Sequence, residues 1–255
     1  MFVALRENGE YISLVTKGNR NELLELRKRE TFTCPACKHG VQLKLGTKIT
    51  HHFAHLKGAE CTVKTEPESE YHLRGKRQLF NWFKAQTYQV ELEPFLPDIS
   101  QRPDLLVTLQ DKRYAIEYQC SPIEYSLFKK RTDSFKKLGI VPIWILGAKW
   151  FNRKSANTIS LSSFQWFFAR TNLQHKNPTI LYYCPESSHF LKVTNITPFT
   201  SSEAICTINP LKEGKTTLPT LLEPLPLHTN FTKFGRKKRL SGEYNILLFL
   251  LKPLS

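Results

Sequence analysis

The chain has 255 residues, of which 40% are hydrophobic and 12% aromatic, a composition that excludes a disordered polypeptide and allows a substantial core. The formal net charge of +15 indicates an anionic partner, and nucleic acid leads because Lys and Arg neutralise phosphate. No apolar run reaches the roughly 18 residues that span a bilayer. The first eight residues lack a signal-peptide pattern, so we expect a cytoplasmic protein.

Cysteines and histidines near the N-terminus have the spacing of metal ligands. A C-x-x-C pair is followed by a His-Phe-Ala-His stretch and a third cysteine. The predicted ligands are Cys34, Cys37, His55 and Cys61, with His52 as an alternative to His55. Four protein ligands leave no open position, which predicts a structural zinc site in a small zinc ribbon. Clustered cysteines also favour a reducing, cytosolic compartment over a disulfide framework.

A helix is predicted from Glu70 to Ala85, with Ser69 as its N-cap. His72 and Lys76 are four residues apart and therefore share one face of this helix. Gly75 lies inside it, at a cost of about 1 kcal/mol relative to Ala. A close approach by nucleic acid or by a neighbouring strand would explain that glycine. A half-buried strand is predicted to follow the helix at residues 88–93.

Two apolar runs, each with a single acid, flank a polar turn and predict an antiparallel hairpin. If the hairpin is centred between residues 110 and 111, Asp104 lies opposite Glu117 and Arg102 lies opposite Gln119. Directly opposed Cβ atoms are about 4.5–5.5 Å apart, and like charges there destabilise a sheet. The pattern therefore predicts that Asp104 and Glu117 hold a divalent metal ion. The alternative is that one or both acids point to solvent.

A basic helix is predicted from Leu127 to Leu138, ended by Gly139, and a buried strand is predicted at residues 140–147. Helix, strand, strand, strand, helix, strand is thus the expected order. This order, with Asp on the second strand and Glu-x-Gln on the third, resembles the core of the PD-(D/E)XK nuclease superfamily.

Further motifs resemble the competence protein CoiA family over roughly residues 1–150. They are Cys-x-x-Cys with His-Phe-Ala-His and Cys, Glu70-x-His72-x-x-x-Lys76, Arg102-Pro103-Asp104, Ile116-Glu117-Tyr118-Gln119-Cys120-Ser121, Phe128-x-x-Arg131 and Ile143-Trp144-Ile145-Leu146. The resemblance implies an α/β fold with a restriction-endonuclease-like core, a mixed central sheet flanked by helices. The expected domains are the zinc ribbon at 1–65, the nuclease-like domain at 66–150 and a separate C-terminal region at 151–255.

The resemblance also implies a function. It indicates a protein of naturally transformable bacteria that acts on incoming single-stranded DNA during recombination, with recombination proteins as partners. A metal-dependent nuclease is the expected activity, although a fold alone does not establish one. The alternatives are a non-catalytic DNA-binding recombination mediator and a restriction or repair endonuclease. Gln119 stands where the superfamily usually has Lys, and Lys76 or Arg102 is a candidate to supply the missing charge.

Within this resemblance, Asp104 and Glu117 would hold Mg²⁺ or Mn²⁺, with the carbonyl oxygen of Tyr118 as a third ligand. The ion would polarise the phosphodiester and activate water. Supporting roles are expected for Gln119, which would orient water or phosphate, for Glu70 or His72 in the outer shell, and for Lys76 at the scissile phosphate. A plain solvent-exposed role for each of these three helix residues is an equal alternative.

Basic side chains are expected to form a track for DNA. The predicted contacts are Arg74, Lys76, Arg102, Lys129, Lys130 and Arg131, with Arg77, Lys136, Lys137 and the basic run at 236–239 as additional candidates. Each one alone has the alternative of being an ordinary solvated residue.

Three segments have weaker patterns. Residues 21–30 are compatible with a short helix or an edge strand. The aromatic residues at 164–168 are expected to be core, with a stacking platform for single-stranded bases as the alternative. Residues 209–228 are rich in Pro and Thr and are predicted to form an extended connection.

Overall fold

Two β-sheets, five α-helices and three short 3₁₀ helices build the protein in a computed structural model that describes residues 1–16, 19–59, 61, 63, 68–171 and 178–223. One sheet has five strands and the other has nine. Within these ranges, none of the helices combines the length and the apolar character that crossing a membrane requires.

The smaller sheet is antiparallel and has the strand order β2-β1-β3-β4-β5. Its strands are β1 (Val3–Arg6), β2 (Tyr11–Ser13), β3 (Phe32–Thr33), β4 (Gly40–Lys44) and β5 (His52–His55). Val41 and Leu43 of β4 are buried while Gln42 and Lys44 are exposed, as its alternating pattern predicts. Of the predicted metal ligands, His55 lies on β5, whereas Cys34 directly follows β3 and Cys37 and Cys61 lie outside the strands.

Residues 21–30, for which helix and strand were both open, form a helix, α1 (Arg20–Arg29). The side chain of Asn19 accepts hydrogen bonds from the backbone N–H groups of Asn21 and Glu22, which caps the helix. Leu23 is the buried residue of α1 and packs against the core of the small sheet.

The larger sheet has the order β10-β11-β14-β13-β12-β9-β8-β7-β6. Its strands are β6 (Gln89–Leu92), β7 (Leu105–Leu109), β8 (Lys112–Gln119), β9 (Val141–Gly147), β10 (Asn152–Arg153), β11 (Thr158–Ser160), β12 (Ile180–Cys184), β13 (His189–Pro198) and β14 (Glu203–Lys212). β9 is parallel to β8 and β12, and the other pairs are antiparallel. The expected mixed sheet is confirmed.

Helices pack on this sheet and connect its strands. They are α2 (Glu70–Ala85), α3 (Tyr125–Lys137), α4 (Gln165–Thr171) and α5 (Leu218–Leu222). α2 has the predicted bounds, and Ser69 caps it by accepting from the N–H of His72. α3 is the crossover between parallel strands β8 and β9. Gly139 follows α3 with a φ of 67°, in the left-handed region that ends helices.

The β7–β8 hairpin has the predicted register. Leu105 pairs with Ile116 and Leu109 pairs with Lys112, so the numbers of paired residues sum to 221. Gln110 takes a positive φ of 54° at the turn. Asp104 lies one residue before β7, in line with Glu117. The register therefore brings both predicted acids to one end of the hairpin.

Gly75 of α2 lies directly against β8 of the large sheet. A Cβ atom at this position would lie 2.2 Å from Cε1 of Tyr118, which is on β8. Of the two explanations for this glycine, a neighbouring strand is the one that the structure provides. The helix can thus lie directly against the strand that carries Glu117.

The C-terminal strands continue the same large sheet, because β12 pairs with β9. The predicted domain boundary at residue 150 therefore falls inside one sheet. Phe164 and Phe168 are buried in a core with Trp144, as expected for the aromatic segment. The prediction of an extended connection at 209–228 is wrong for residues 209–223, because β14 runs to Lys212 and α5 follows it. Residues 224–228 and the basic run at 236–239 lie outside the described residues.

Candidate active site and metal centre

The thiol cluster consists of the four predicted zinc ligands, Cys34, Cys37, His55 and Cys61. Each offers one ligand atom, and these atoms all lie within 4.8 Å of one another. The Sγ atom of Cys37 is 3.3 Å from Nε2 of His55. His52, the alternative ligand, is outside this group, with its Nδ1 2.9 Å from the carbonyl oxygen of Thr50. Three thiols and one imidazole are a donor set that fits a tetrahedral zinc ion.

Burial and nearby charges shift the pKa values of three of the predicted ligands. Burial opposes the Cys34 thiolate, but two backbone N–H groups and the charge of Arg102 outweigh it, so the pKa lies below its usual value. Burial and Arg102 also lower the pKa of His55, which keeps its imidazole neutral. Burial raises the pKa of Cys61 to about 11, so we expect metal binding to displace the proton of this thiol.

A second group, which we call the acid cluster, lines a pocket at the end of the β7–β8 hairpin. Its members are Glu68 before α2, His72 and Lys76 on α2, Glu93 after β6, and Asp104 before β7. The ligand atoms of Glu68, His72 and Asp104 all lie within 4.8 Å of one another. Nε2 of His72 is 3.4 Å from Oδ2 of Asp104, and that oxygen accepts a 2.9 Å hydrogen bond from the N–H of Tyr118.

Lys76 is the cation at the centre of the acid cluster. Its side chain is 1% exposed, and its Nζ contacts Glu68, lies 2.5 Å from Glu93 and lies 3.4 Å from Asp104. Burial opposes the charge of Lys76, but the three carboxylates outweigh burial and raise its pKa. Burial likewise opposes ionisation of Asp104, yet Lys76 and His72 hold its pKa well below the usual range. Lys76 and Asp104 are therefore both ionised at neutral pH.

Two further groups satisfy the carboxylates of the acid cluster. The N-terminal ammonium of Met1 contacts Glu68 and donates to the carbonyl oxygen of Phe53 at 3.1 Å. Glu93 accepts hydrogen bonds from the backbone N–H groups of Phe2 at 2.8 Å and Val3 at 3.1 Å. Hydrogen bonds to Glu93 thus connect the start of β1 in the small sheet to the pocket at the edge of the large sheet.

Glu117 lies in the same pocket but has its own cation. Its carboxylate pairs with Arg131 of α3, and both side chains are buried. Burial raises the pKa of Glu117 to about 7, and the nearby charge of Asp104 adds to the rise, although Arg131 opposes it. The ligand group around Asp104 contains Glu68 and His72, not Glu117. A metal ion shared by Asp104 and Glu117 stays a prediction.

Comparisons with known proteins identify the family of this chain. Residues 68–226 match the family model of the competence protein CoiA nuclease-like domain, which covers more than half of the chain. Residues 15–64 match the model of the CoiA N-terminal domain. The chain belongs to the CoiA family. It is 39% identical over 181 residues to "Competence protein CoiA" of Bacillus subtilis (strain 168), an alignment that covers 71% of this chain and 48% of that relative. It therefore spans about half the length of the curated relative.

The other predicted site residues of this CoiA-family chain are engaged by the protein. Nε2 of Gln119 donates to the carbonyl oxygen of Ser121 at 2.8 Å. The carboxylate of Glu70 accepts hydrogen bonds from the backbone N–H and from the hydroxyl group of Thr50. Glu70 thus joins the start of α2 to the segment that leads into β5 of the small sheet. Lys76, not Arg102, is the cation placed beside Asp104. The guanidinium of Arg102 instead faces the thiol cluster.

The six predicted DNA contacts divide into two groups. Lys76, Arg102 and Arg131 are each less than 10% exposed and bind groups of the protein itself. Lys129 and Lys130 are exposed on α3, where Lys129 pairs with Asp133, and Arg74 donates to the carbonyl oxygen of Pro185 at 2.8 Å. Their contacts with DNA stay predictions.

Sequence reasoning missed two acids of the pocket, Glu68 and Glu93. Glu68 belongs to the polar segment before α2, which has the composition of an ordinary linker. A usable signal existed for Glu93. β6 pairs with β7 so that Leu92 lies opposite Leu105, which puts Glu93 opposite Asp104. The pairing register of β6 with β7 therefore predicts that Glu93 lies beside Asp104.

Proposed function

We propose that this chain is a metal-dependent deoxyribonuclease that processes incoming DNA in the cytoplasm during natural transformation. One observation carries the proposal. Two carboxylates and an imidazole converge in a pocket that also holds Lys76, Glu117 and Gln119. The CoiA nuclease-like family match supports the same reading of this pocket. Because the alignment covers only 48% of the curated relative, its role in competence enters here as part of the proposal.

The acid cluster fits a divalent metal ion. Glu68, His72 and Asp104 present ligand atoms in one place, and the carboxylates around Lys76 outnumber the cations that reach them. Carboxylate oxygens suit Mg²⁺, and the added imidazole nitrogen also suits Mn²⁺. When bound, such an ion supplies polarisation of the phosphate and a nucleophilic water. We therefore assign the metal site to Glu68, His72 and Asp104.

Lys76 provides the positive charge that Gln119 cannot provide. Its Nζ is 3.4 Å from Oδ1 of Asp104, and the ammonium is held in place by Glu68 and Glu93. A buried, fixed charge is suited to stabilising negative charge that develops on a phosphate, because it needs no reorganisation during the reaction. In this proposal Lys76 acts from α2, whereas Gln119 on β8 positions the loop through Ser121.

The charge of the chain supports a DNA substrate. The formal net charge is +15, and α3 carries exposed Lys129 and Lys130 next to Arg131, which reaches the pocket. Phosphate contacts from such residues supply affinity without sequence specificity. This suits incoming single-stranded DNA of any sequence. Recombination proteins that bind the same strand are the partners we propose.

A second function, a non-catalytic DNA-binding recombination mediator, is favoured by one observation. Both Glu117 and Gln119, the two polar residues of the β8 motif, are already bound within the protein, to Arg131 and to Ser121. If these contacts persist with DNA bound, neither side chain is free to act on a phosphodiester. Binding would then be the only activity of the pocket and its basic surroundings.

Cleavage and binding measured on the same preparation separate the two functions. Labelled single- and double-stranded DNA is incubated with Mg²⁺ or Mn²⁺ and wild type, Asp104→Asn or the control Asp98→Asn, which changes an exposed acid. We expect cleavage by wild type and the control, and none by Asp104→Asn. Binding without cleavage by every form would favour the mediator. Equal cleavage by Asp104→Asn and wild type would refute the proposed site.

A further inference from the structure

Arg102 is a buried cation that lines the pocket and also reaches the thiol cluster. It is 7% exposed, and its side chain runs from the start of the β7–β8 hairpin to the small sheet. Its Nη1 lies 3.0 Å from Sδ of Met1 and 3.9 Å from Sγ of Cys34. Among the residues that the structure describes, no carboxylate forms a salt bridge with Arg102 within 4.0 Å. Nη1 is thus directed at sulfur, and although burial opposes the charge of Arg102, the charges of Glu93 and then Cys34 outweigh burial and raise its pKa.

The chemistry of the thiol cluster accounts for this arrangement. A divalent zinc ion bound by three thiolates and a neutral imidazole carries a formal charge of about −1, counted from the ligand protonation states that zinc requires. A buried negative charge needs a nearby cation. The guanidinium is well suited to this role because it is more weakly hydrated than an ammonium and remains charged when buried. Arg102 and a zinc–thiolate centre thus satisfy each other.

The backbone of the same residue reaches the other site. The carbonyl oxygen of Arg102 accepts a 3.3 Å hydrogen bond from Nη2 of Arg131, and Arg131 pairs with Glu117. Two residues further along the chain, Asp104 enters the acid cluster. The side chain of Arg102 therefore reaches the thiol cluster, while its backbone contacts a residue of the pocket.

We propose that Arg102 is a positioning residue that couples the two metal sites. Its guanidinium balances the charge of the zinc–thiolate centre, and zinc in turn fixes the segment that places Arg131 and Asp104. Coupling between two binding sites is reciprocal, so loss of zinc must also weaken binding of a divalent ion at the acid cluster. Nothing in this inference depends on DNA cleavage.

Zinc affinity of the full chain tests the proposal. Zinc is titrated away with a chromogenic chelator from wild type, Arg102→Gln and Arg102→Lys, with Arg113→Gln as the matched control. Arg113 is an exposed arginine of the same hairpin that donates to the carbonyl oxygen of Leu138. We expect Arg102→Gln to lose about 10- to 100-fold in zinc affinity, the usual effect of removing a partner of the ligands. Arg102→Lys keeps the charge and should lose less, and Arg113→Gln should match wild type.

Three results would overturn the proposal. They are wild-type zinc affinity in Arg102→Gln, equal losses in Arg102→Lys and Arg102→Gln, and the absence of zinc from wild-type protein purified without chelators. If Arg102→Gln does not fold, Arg102→Lys decides, because a loss below about tenfold supports charge balance and any larger loss refutes it.

Because the coupling is reciprocal, the Mn²⁺ affinity of the wild-type protein is a second test of the proposal. Zinc-depleted wild type should bind Mn²⁺ at the acid cluster about fivefold or more weakly than the zinc-loaded protein, within the usual range of coupling. Equal Mn²⁺ affinity in the two forms would disprove the coupling while leaving the nuclease proposal intact. Conversely, a protein that cleaves no DNA still reports on zinc and Mn²⁺ binding.

Discussion

Nζ of Lys76 lies 3.4 Å from Oδ1 of Asp104, inside the protein, although one residue is on α2 and the other precedes β7. The pair links the helix to the hairpin at the point where the candidate metal site forms. Glu68 and Glu93 complete the contacts of the lysine. Each charged group in this arrangement depends on the others, which makes single substitutions informative.

Lys76→Met should strongly destabilise the protein at neutral pH. Removal of one partner from a buried ion pair leaves an uncompensated charge and typically costs about 3–5 kcal/mol of the free energy of unfolding. Denaturant titrations measure the loss, with Lys84→Met as the control because Lys84 is exposed on the same helix. Added Mg²⁺ should recover part of the loss, since a divalent ion neutralises the same carboxylates. A variant as stable as wild type would contradict this account.

The metal ligands at the acid cluster can be distinguished by Glu68→Gln and Glu117→Gln. Because Glu68 lies with His72 and Asp104 while Glu117 pairs with Arg131, we expect Glu68→Gln to weaken Mn²⁺ binding by at least about tenfold. Glu117→Gln should have a smaller effect. Mn²⁺ titrations followed by electron paramagnetic resonance provide the measurement. The reverse order would establish the ion shared by Asp104 and Glu117.

The thiol cluster predicts different outcomes for two neighbouring histidines. His55→Ala removes a ligand and should abolish stoichiometric zinc binding, whereas His52→Ala should retain it because His52 lies outside the cluster. Elemental analysis of the purified variants gives the zinc content directly. Loss of zinc from both variants, or from His52→Ala alone, would show that the ligand set is different.

Gly75→Ala should destabilise the protein even though Ala favours helices by about 1 kcal/mol. The added Cβ would lie 2.2 Å from a ring carbon of Tyr118, so the helix and the strand must separate. We expect a net loss of about 1–3 kcal/mol in the free energy of unfolding, as for other overpacked sites. In a Tyr118→Leu background the same substitution should cost less. Equal costs in the two backgrounds would exclude the ring as the cause.

Glu117 should make the stability of the metal-free protein depend on pH. Its pKa is raised to about 7 by burial, so the folded state holds a proton that the unfolded state releases near its ordinary value of 4.5. The contribution of Glu117 to stability is therefore complete below about pH 4.5 and is lost as the pH rises to about 7. The slope is up to about 1.4 kcal/mol per pH unit.

The comparison of wild type with Glu117→Gln isolates this contribution. Denaturant midpoints measured between pH 5 and pH 8 should fall more steeply for wild type than for Glu117→Gln, while the exposed control Glu124→Gln should follow wild type. Parallel curves for wild type and Glu117→Gln would mean that Glu117 titrates alike in the folded and unfolded states.

Local patterns predicted the parts of this fold that local interactions determine. The Ser69 cap and the apolar spacing define α2, and the polar turn at residue 110 defines the register that aligns Asp104 with Glu117. The C-x-x-C pair likewise follows from spacing, whereas the choice of His55 over His52 needed the structure. In each case the deciding contacts are close in sequence or belong to one hairpin.

The remaining features depend on contacts between distant segments. Glu68 joins the pocket through Lys76, and Arg102 turns toward Cys34, which is 68 residues earlier in the chain. β12 extends the large sheet by pairing with β9, a parallel contact that leaves no short-range signal. The direction in which the Arg102 side chain points, and the order of the strands beyond β9, therefore depend on contacts between segments that are far apart in the sequence.

The hydrogen bonds from Phe2 and Val3 to Glu93 have a consequence for how the chain can be divided. The two matched family regions meet near residue 64, which invites expression of each as a separate fragment. A fragment that starts there would leave the Glu93 carboxylate, 2% exposed in the whole chain, without two of its donors. Expressed alone, the second region should therefore be less stable than the same residues are in the whole chain.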